Sequence, residues 1–243
     1  MRNTILVLSM LALILAACGG QGNQSSEPPV MTVAPGATQA PPAEPTATQP
    51  QAAPTDLPAT QPPGGVEVFR IVPGESVLKY EVYETFINDN NRLALAVGTT
   101  PQVTGNIQID PAASANSTLG AITADISQFQ SDSSRRDNAL RDRFIESARY
   151  PDVTFVAQSI EGLPASYQEG EELTLKISGD LTIREVTKPA TFDVTVKLEG
   201  DTLSGEAVTT ILMSEFGFGP ISIAGILNTE DEAKVTLTFV ARP

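Results

Sequence analysis

The chain has 243 residues, a formal net charge of −14 and a sequence pI near 4.3. Such an acidic chain is a poor partner for nucleic acid, whose phosphates require a cationic surface, so no nucleic-acid partner is predicted. The chain has no histidine, and Cys18 is its only cysteine. A Ser-His-Asp or Cys-His catalytic site and a zinc site of histidine and cysteine are therefore excluded, whereas carboxylate chemistry and oxygen-ligated metals are not.

Residues 1–18 have the pattern of an export signal. Arg2 is followed by an apolar run over residues 5–15 and then by the sequence Leu-Ala-Ala-Cys that ends at Cys18. This ending resembles the bacterial lipobox, in which the cysteine becomes lipid-modified after cleavage. The alternatives are an ordinary signal peptide or a transmembrane helix, for which the apolar run is short. We expect a lipoprotein signal peptide with Cys18 as the lipid anchor, because several acyl chains on one residue give stable membrane attachment.

Residues 19–65 are dominated by Pro, Ala, Thr and Gln and contain no aromatic residue. A segment of this composition cannot bury enough apolar surface to offset the entropy lost on ordering. Its prolines favour extended, semi-rigid chain. The segment is therefore predicted to be a disordered tether.

Residues 66–243 are predicted to form one all-β domain, because apolar and polar residues alternate along several stretches. Strands with one apolar and one wet face suit an antiparallel sheet, and many such strands close into a barrel or pack as a sandwich. We expect an antiparallel barrel of about eight strands. The predicted inward faces are Leu78, Tyr80 and Val82; Ile122, Ala124 and Ile126; Leu173, Leu175 and Ile177; Phe192, Val194, Val196 and Leu198; and Val235, Leu237 and Phe239.

One short helix over about residues 132–147 is predicted to interrupt the strands and to plug or flank the sheet. Serines and an aspartate offer N-caps at its start, and Tyr150-Pro151 is expected to end it, because the residue before proline avoids the helical region. Residues four apart are neighbours on a helix surface. These neighbours are the charged pairs Asp132–Arg136 and Asp137–Arg141 and the apolar pair Leu140–Phe144.

The arginines of this helix allow two interpretations. They either lie on a solvated face, paired with nearby acidic residues, or one or two of them meet an anionic head group at the barrel mouth. Arginine suits bidentate contact with phosphate or carboxylate. Arg136 and Arg141 are the candidates for the second role.

The same stretch carries a family resemblance. The sequence RRDNALRDRFIESARYPDVTF, from Arg135 onward, resembles the central signature of the YceI-like proteins, and three further segments follow the order of that family: TGNIQIDP at 104–111, SGDLTIREVTKPATFDV at 178–194 and SEFGFG at 214–219. The resemblance implies a lipocalin-like antiparallel barrel that is exported from the cytoplasm. It also implies an apolar interior that holds polyisoprenoid chains, either quinones or prenyl phosphates.

The predicted function is that of a membrane-anchored, extracytoplasmic protein that holds a long isoprenoid in its barrel, anchored at the cell membrane or the outer membrane. The partners are the lipid and the membrane, a homodimer is left open, and no metal, no catalytic residue and no cofactor other than a bound lipid is expected. One alternative is an envelope or stress-response interaction module with a filled barrel, and another is a carboxylate enzyme using Glu146, Asp152 or Glu215. The candidate ligand-binding residues, which would equally form ordinary barrel core, are Phe155, Leu175, Ile177, Phe192, Val194 and Val196, with Arg136 and Arg141.

With a single cysteine, no disulfide can form within the chain. We expect dithiothreitol to leave the melting temperature unchanged when thermal unfolding is followed with and without the reductant. A large drop in the melting temperature would contradict this expectation.

Overall fold

The computed structural model describes residues 65–243, so the predicted signal peptide, Cys18 and the tether lie outside the described residues. The described part is built of antiparallel strands that join in a single curled sheet. The strands are β1 (Glu67–Ile71), β2 (Val77–Phe86), β3 (Arg92–Thr100), β4 (Val103–Thr104), β5 (Asn106–Ile109), β6 (Thr118–Leu119), β7 (Ile122–Asp125), β8 (Gln130–Ser131), β9 (Asp152–Glu161), β10 (Glu172–Ile183), β11 (Val186–Glu199), β12 (Thr202–Leu212), β13 (Ser222–Ile223), β14 (Leu227–Thr229) and β15 (Glu232–Arg242).

The pairing of these strands returns on itself. From β15 the ladder runs through β12, β11, β10 and β9 to β7 and β4. β4 continues past Gly105 into β5, which pairs with β1, and β1 pairs with β15 again. The prediction of an antiparallel barrel is thereby confirmed, and eight strand positions form the ring when β4 and β5 count as one bent strand. Strands β2, β3, β13 and β14 extend the sheet beside β15.

The period-two alternation determines which side chains point inward. On β11, Phe192 and Val194 are buried, whereas Asp193 between them is exposed. On the paired strand β10, Leu175 and Ile177 are buried and flank the exposed Lys176. All five apolar faces predicted from the sequence point into the interior. The inward side chains therefore meet inside the ring while the polar ones face water.

The helical segment is shorter than predicted. Helix α1 (Ser134–Ala139) continues directly into a π-helical turn (Leu140–Phe144), so the helical part begins two residues after and ends three residues before the predicted range 132–147. Ser133 caps its start, because its Oγ accepts from the Arg136 amide at 3.4 Å. The expected stop at Tyr150-Pro151 is wrong, because Glu146 adopts a left-handed conformation (φ 55°) soon after the last helical turn.

One of the two predicted charged pairs on the helix is present. Arg136 binds Asp132, as expected. The pair Asp137–Arg141 is wrong, because the Asp137 carboxylate accepts hydrogen bonds from the amide (3.1 Å) and the hydroxyl (2.6 Å) of Ser131 instead. These bonds tie the helix to β8.

A small second core joins the helical segment to the barrel. Ile126, Phe129 and Ile145 are buried together, and Leu140 packs against them from the helical side. Leu78 on β2 packs against the same cluster. The helix is thereby held across one end of the barrel, as the prediction that it plugs or flanks the sheet requires.

Candidate functional site: an apolar cavity inside the barrel

The interior of the barrel contains a cavity of about 630 Å³. Its volume lies within the range of small-molecule sites in proteins, about 300–1,000 Å³. The lining is overwhelmingly apolar and comes from the inward faces of the long strands. The largest contributions come from β2, β10, β11, β15 and the helical segment, with further residues from β5, β6, β7, β9 and β12.

The six apolar residues predicted as ligand-binding all line this cavity. They lie on three neighbouring strands: Phe155 on β9, Leu175 and Ile177 on β10, and Phe192, Val194 and Val196 on β11. The rings of Phe155 and Phe192 meet edge to face with their centroids 4.8 Å apart. The structure therefore brings the predicted apolar set together on one wall, and its role in binding stays a prediction.

The cavity is also lined by residues that were not predicted as ligand-binding. Ala207 and Ile211 of β12 line it, and Ile107 and Ile109 come from the short strand β5. Ile221 and Ile223 also line the cavity, and a strand as short as β13 gives too few residues for a period of two to stand out.

Arg136 and Glu84 form the main charged contact at the helix end of the cavity. Arg136 donates from Nε to Oε1 of Glu84 at 3.1 Å and from Nη2 to Oε2 at 2.9 Å, which is a bidentate geometry. Glu84 is buried, and its carboxylate holds the pKa of Arg136 above its ordinary value. The remaining Nη1 of Arg136 donates to Ser131 Oγ at 3.1 Å and to Asp132. Arg136 therefore lines the cavity with its charge compensated by two carboxylates.

The other helix arginines differ from Arg136. Arg141 lies outside the cavity lining: its Nη1 donates to Asn138 at 3.1 Å and its Nε to the Ser127 carbonyl at 3.3 Å. Arg135 is exposed and contributes to the lining. Among the helix arginines, Arg135 and Arg136 are thus the ones beside the cavity.

Tyr80 carries a buried hydroxyl beneath the helix. Its ring meets Phe129 edge to face at 5.0 Å and lies against Gly98 of β3, where an added β-carbon would lie 2.3 Å from Tyr80 Cε1. Within residues 65–243 the Tyr80 hydroxyl makes no hydrogen bond of good geometry, although Ser131 lies close enough to lower its pKa. Burial raises the pKa of Tyr80 to about 12, although the nearby Arg136 acts in the opposite direction.

Residues 65–243 contain no cluster of three or more side chains that could together hold a metal ion. Glu146, one of the acidic residues considered for catalysis, is paired with Arg184 at 2.9 Å. Within the same residues, no helix combines the length and the apolar character needed to cross a membrane.

An antiparallel barrel around an apolar cavity belongs to the class of β-barrels that can enclose a ligand. The chain is a member of the YceI-like family, since the YceI-like domain matches residues 70–241. A UPF0312 protein of Pseudomonas putida (strain F1) is 32% identical over 130 residues, which cover 51% of this chain and 64% of the relative. The protein YceI of Escherichia coli O157:H7 is 33% identical over 81 residues, covering 33% of this chain and 38% of the relative. The alignments thus span less than two thirds of these curated relatives.

Solved structures share the fold at low sequence identity. BcnA of Burkholderia cenocepacia superposes with a TM-score of 0.53 at 22% identity, covering 70% of this chain and 98% of that structure. A polyisoprenoid-binding domain from Saccharophagus degradans, implicated in plant cell wall breakdown, superposes with a TM-score of 0.53 at 12% identity. It covers 72% of this chain and 97% of that domain.

We expect Arg136→Met to lower the free energy of unfolding by about 3 kcal/mol, because it leaves the Glu84 carboxylate buried without its partner. The double variant Glu84→Gln, Arg136→Met should recover most of this loss, since it removes both charges. Asp132→Asn is the control and should cost less than about 1 kcal/mol, because Asp132 is a solvent-exposed partner of the same arginine. Urea denaturation measures all three. Equal losses for Arg136→Met and Asp132→Asn would contradict the interpretation of a buried pair.

The raised pKa of Tyr80 predicts a loss of stability at alkaline pH. Between pH 10, the ordinary value, and about 12, the unfolded chain loses this proton before the folded chain does, so stability should fall as the pH rises. Tyr80→Phe should flatten that fall, as measured by denaturation at a series of pH values. The stability of the variant should change little at neutral pH, because the hydroxyl that it removes makes no hydrogen bond of good geometry. An unchanged alkaline slope would show that Tyr80 titrates normally.

Proposed function

We propose that this protein binds a long apolar molecule of the isoprenoid type inside its barrel. The observation that carries the proposal is the cavity of about 630 Å³ whose lining consists of inward apolar side chains. Exposing the apolar surface of a polyprenyl chain to water costs about 25 cal/mol per Å². Binding in an apolar interior removes this surface from water and is therefore favourable. The fold it shares with a polyisoprenoid-binding domain supports the same conclusion.

The environment of Arg136 favours a guest with an uncharged head group, such as a quinone, over a prenyl phosphate. The guanidinium already binds Glu84 and Asp132, and its other contact is the hydroxyl of Ser131. A phosphate at this end would have to displace a buried carboxylate from a bidentate contact, which costs more than the displacement of water. An uncharged carbonyl head requires no such displacement.

The alternative interaction module with a filled barrel is less well supported, because a barrel filled by its own side chains would leave no cavity of this size. An enzyme is not proposed either. The family match and the absence of histidine favour a binding protein, and Arg184 already pairs with Glu146.

The location of the protein is part of the proposal. The signal-like residues 1–18 and the tether-like residues 19–65 support an exported chain that is attached to a membrane through lipid on Cys18. Attachment would keep the barrel close to the bilayer, where isoprenoid lipids are dissolved. Metabolic labelling of the wild type and of Cys18→Ser with a radioactive fatty acid would test this part separately from binding.

Substitutions on two neighbouring residues of β12 test the binding site. Ala207 is buried and lines the cavity, whereas Glu206 faces solvent. We expect Ala207→Met to weaken uptake of a fluorescent isoprenoid quinone by roughly tenfold, or about 1.4 kcal/mol, because the longer side chain occupies space needed by the guest. Glu206→Met, the control, should leave uptake unchanged. Equal affinities for both variants and the wild type would place any binding outside the cavity.

A further inference from the structure

The strands beside the ring expose an unusual group of apolar side chains. Five of the eight large hydrophobic residues that are exposed in residues 65–243 lie together at one end of the barrel. We call this group the hairpin patch. It consists of Tyr83, Ile87, Leu93, Leu95 and Ile226.

The hairpin patch is a continuous surface rather than a set of scattered residues. Tyr83 and Leu95 are directly opposite each other on β2 and β3, and Leu93 lies one alternate position further toward the turn. The Ile87 amide donates to the Ile226 carbonyl at 2.8 Å, which joins the β2–β3 hairpin to the β13–β14 hairpin. Single exposed apolar residues are ordinary, but a contiguous group of them marks an interaction surface.

The patch is also continuous with the cavity. Ile226 is exposed and belongs to the cavity lining, as do Phe86 and Leu227 of the paired strands β2 and β14. Glu84 on β2 binds Arg136 of the helix, so the helix and the patch lie at the same end. Ile226 is therefore the point at which the patch meets the cavity, whereas Tyr83, Leu93 and Leu95 lie on the outer face of the sheet.

The strands that form the patch contain fewer charged residues than the rest of the domain. From residue 66 to residue 243 there are twenty-six acidic and fourteen basic residues. The two stretches that form the patch, 82–98 and 217–229, contain only Glu84, Asp89 and Arg92 as charged residues. Glu84 is paired with Arg136, and Asp89 with Arg92 at 2.6 Å. Two acidic residues border the patch: Glu81, which lies two residues before Tyr83 on the same face of β2 and is paired with Lys79 at 3.1 Å, and Glu230, whose amide donates to the Tyr83 carbonyl.

We propose that the hairpin patch is the surface by which the barrel docks on a lipid bilayer, with the cavity mouth facing the membrane. An apolar surface whose few charges are paired matches the interface of a bilayer, whereas the acidic remainder of the domain is repelled by anionic head groups. Among the described strands, residues 92–97 of β3 pair only with β2, so their outer backbone groups need water. The docking is therefore shallow, at head-group depth, because unpaired backbone groups are not tolerated in the hydrocarbon core. This inference rests on the proposed function only for the identity of the molecule that enters and leaves the cavity, the isoprenoid.

A single tryptophan tests the docking in the full chain, which contains none of its own. Leu93 is 60% exposed in the patch, and Val156 on β9 is 48% exposed on the opposite part of the ring, so Leu93→Trp and Val156→Trp form a matched pair. Each full-length variant is mixed with phosphatidylcholine vesicles whose acyl chains carry bromine near the head group, a contact quencher. Because the readout is local, lipid attachment at Cys18 does not by itself produce it.

We expect the fluorescence of Leu93→Trp to shift to the blue and to fall about twofold with brominated lipid, and the fluorescence of Val156→Trp to stay unchanged. The effect should persist in high salt, because no ion pair carries the docking. Equal, solvent-like emission from both variants would overturn the proposal. A blue shift that depends on protein concentration and is not quenched would also overturn it, because the patch would then be covered by a second copy of the chain through the open edge of β3. Leu95→Trp repeats the measurement if Leu93→Trp fails to fold.

A transfer assay separates this inference from the proposed function. The double variant Leu93→Asn, Leu95→Asn alters two residues outside the cavity lining, so it should take up a fluorescent quinone from detergent solution like the wild type. Uptake of the same quinone from vesicles should be slower by about tenfold. Failure of the wild type to take up quinone from detergent would contradict the proposed function alone. Equal rates from vesicles for the variant and the wild type would contradict the docking surface alone.

Discussion

The structure depends on one constraint: apolar side chains alternate with polar ones along strands whose pairing closes on itself. Phe192 and Val194 point inward because Asp193 between them faces water. The ladder of strands closes where β1 pairs with β15, so the inward residues of opposite walls face each other. The width of the ring is set by the number and tilt of its strands rather than by side-chain volume. Side chains of ordinary size therefore cover the wall without filling the centre.

An unfilled apolar interior has an energetic consequence. Side chains such as Phe155 and Ile177 lack neighbours on their inner side, so dispersion contacts that a packed core would make are missing. An apolar guest would restore these contacts and stabilise the folded state by mass action. Glu84 and Arg136, which both line the cavity, hold the helix against β2. The exposed hairpin patch lies at the same end of the barrel as this ion pair.

The sequence predicted the local features of this architecture well. The inward faces on β2, β7, β10, β11 and β15 follow directly from a period of two, and the pair Asp132–Arg136 follows from helical spacing. The pair Asp137–Arg141 has the same spacing and does not form. Ser131 offers Asp137 a hydroxyl and an amide together, and such competition is invisible in spacing alone.

The long-range features could not be predicted. The partner of Arg136 is Glu84, 52 residues away, and nothing in the local sequence of either residue indicates the other. Closure of the ring rests on short contacts such as the pairing of Arg70 and Ile71 with Arg242 and Ala241, which join the two ends of the domain. The same apolar residues would line a cavity or fill a core, so the sequence left open the distinction on which the proposed function rests.

Native mass spectrometry of the full chain, purified without delipidation from the cells that produce it, tests the central claim most directly. We expect a population heavier than the polypeptide by the mass of one apolar guest, which organic extraction releases and which is identified as an isoprenoid with an uncharged head. A polypeptide mass alone, together with no rise in melting temperature when isoprenoid quinones are added, would contradict it.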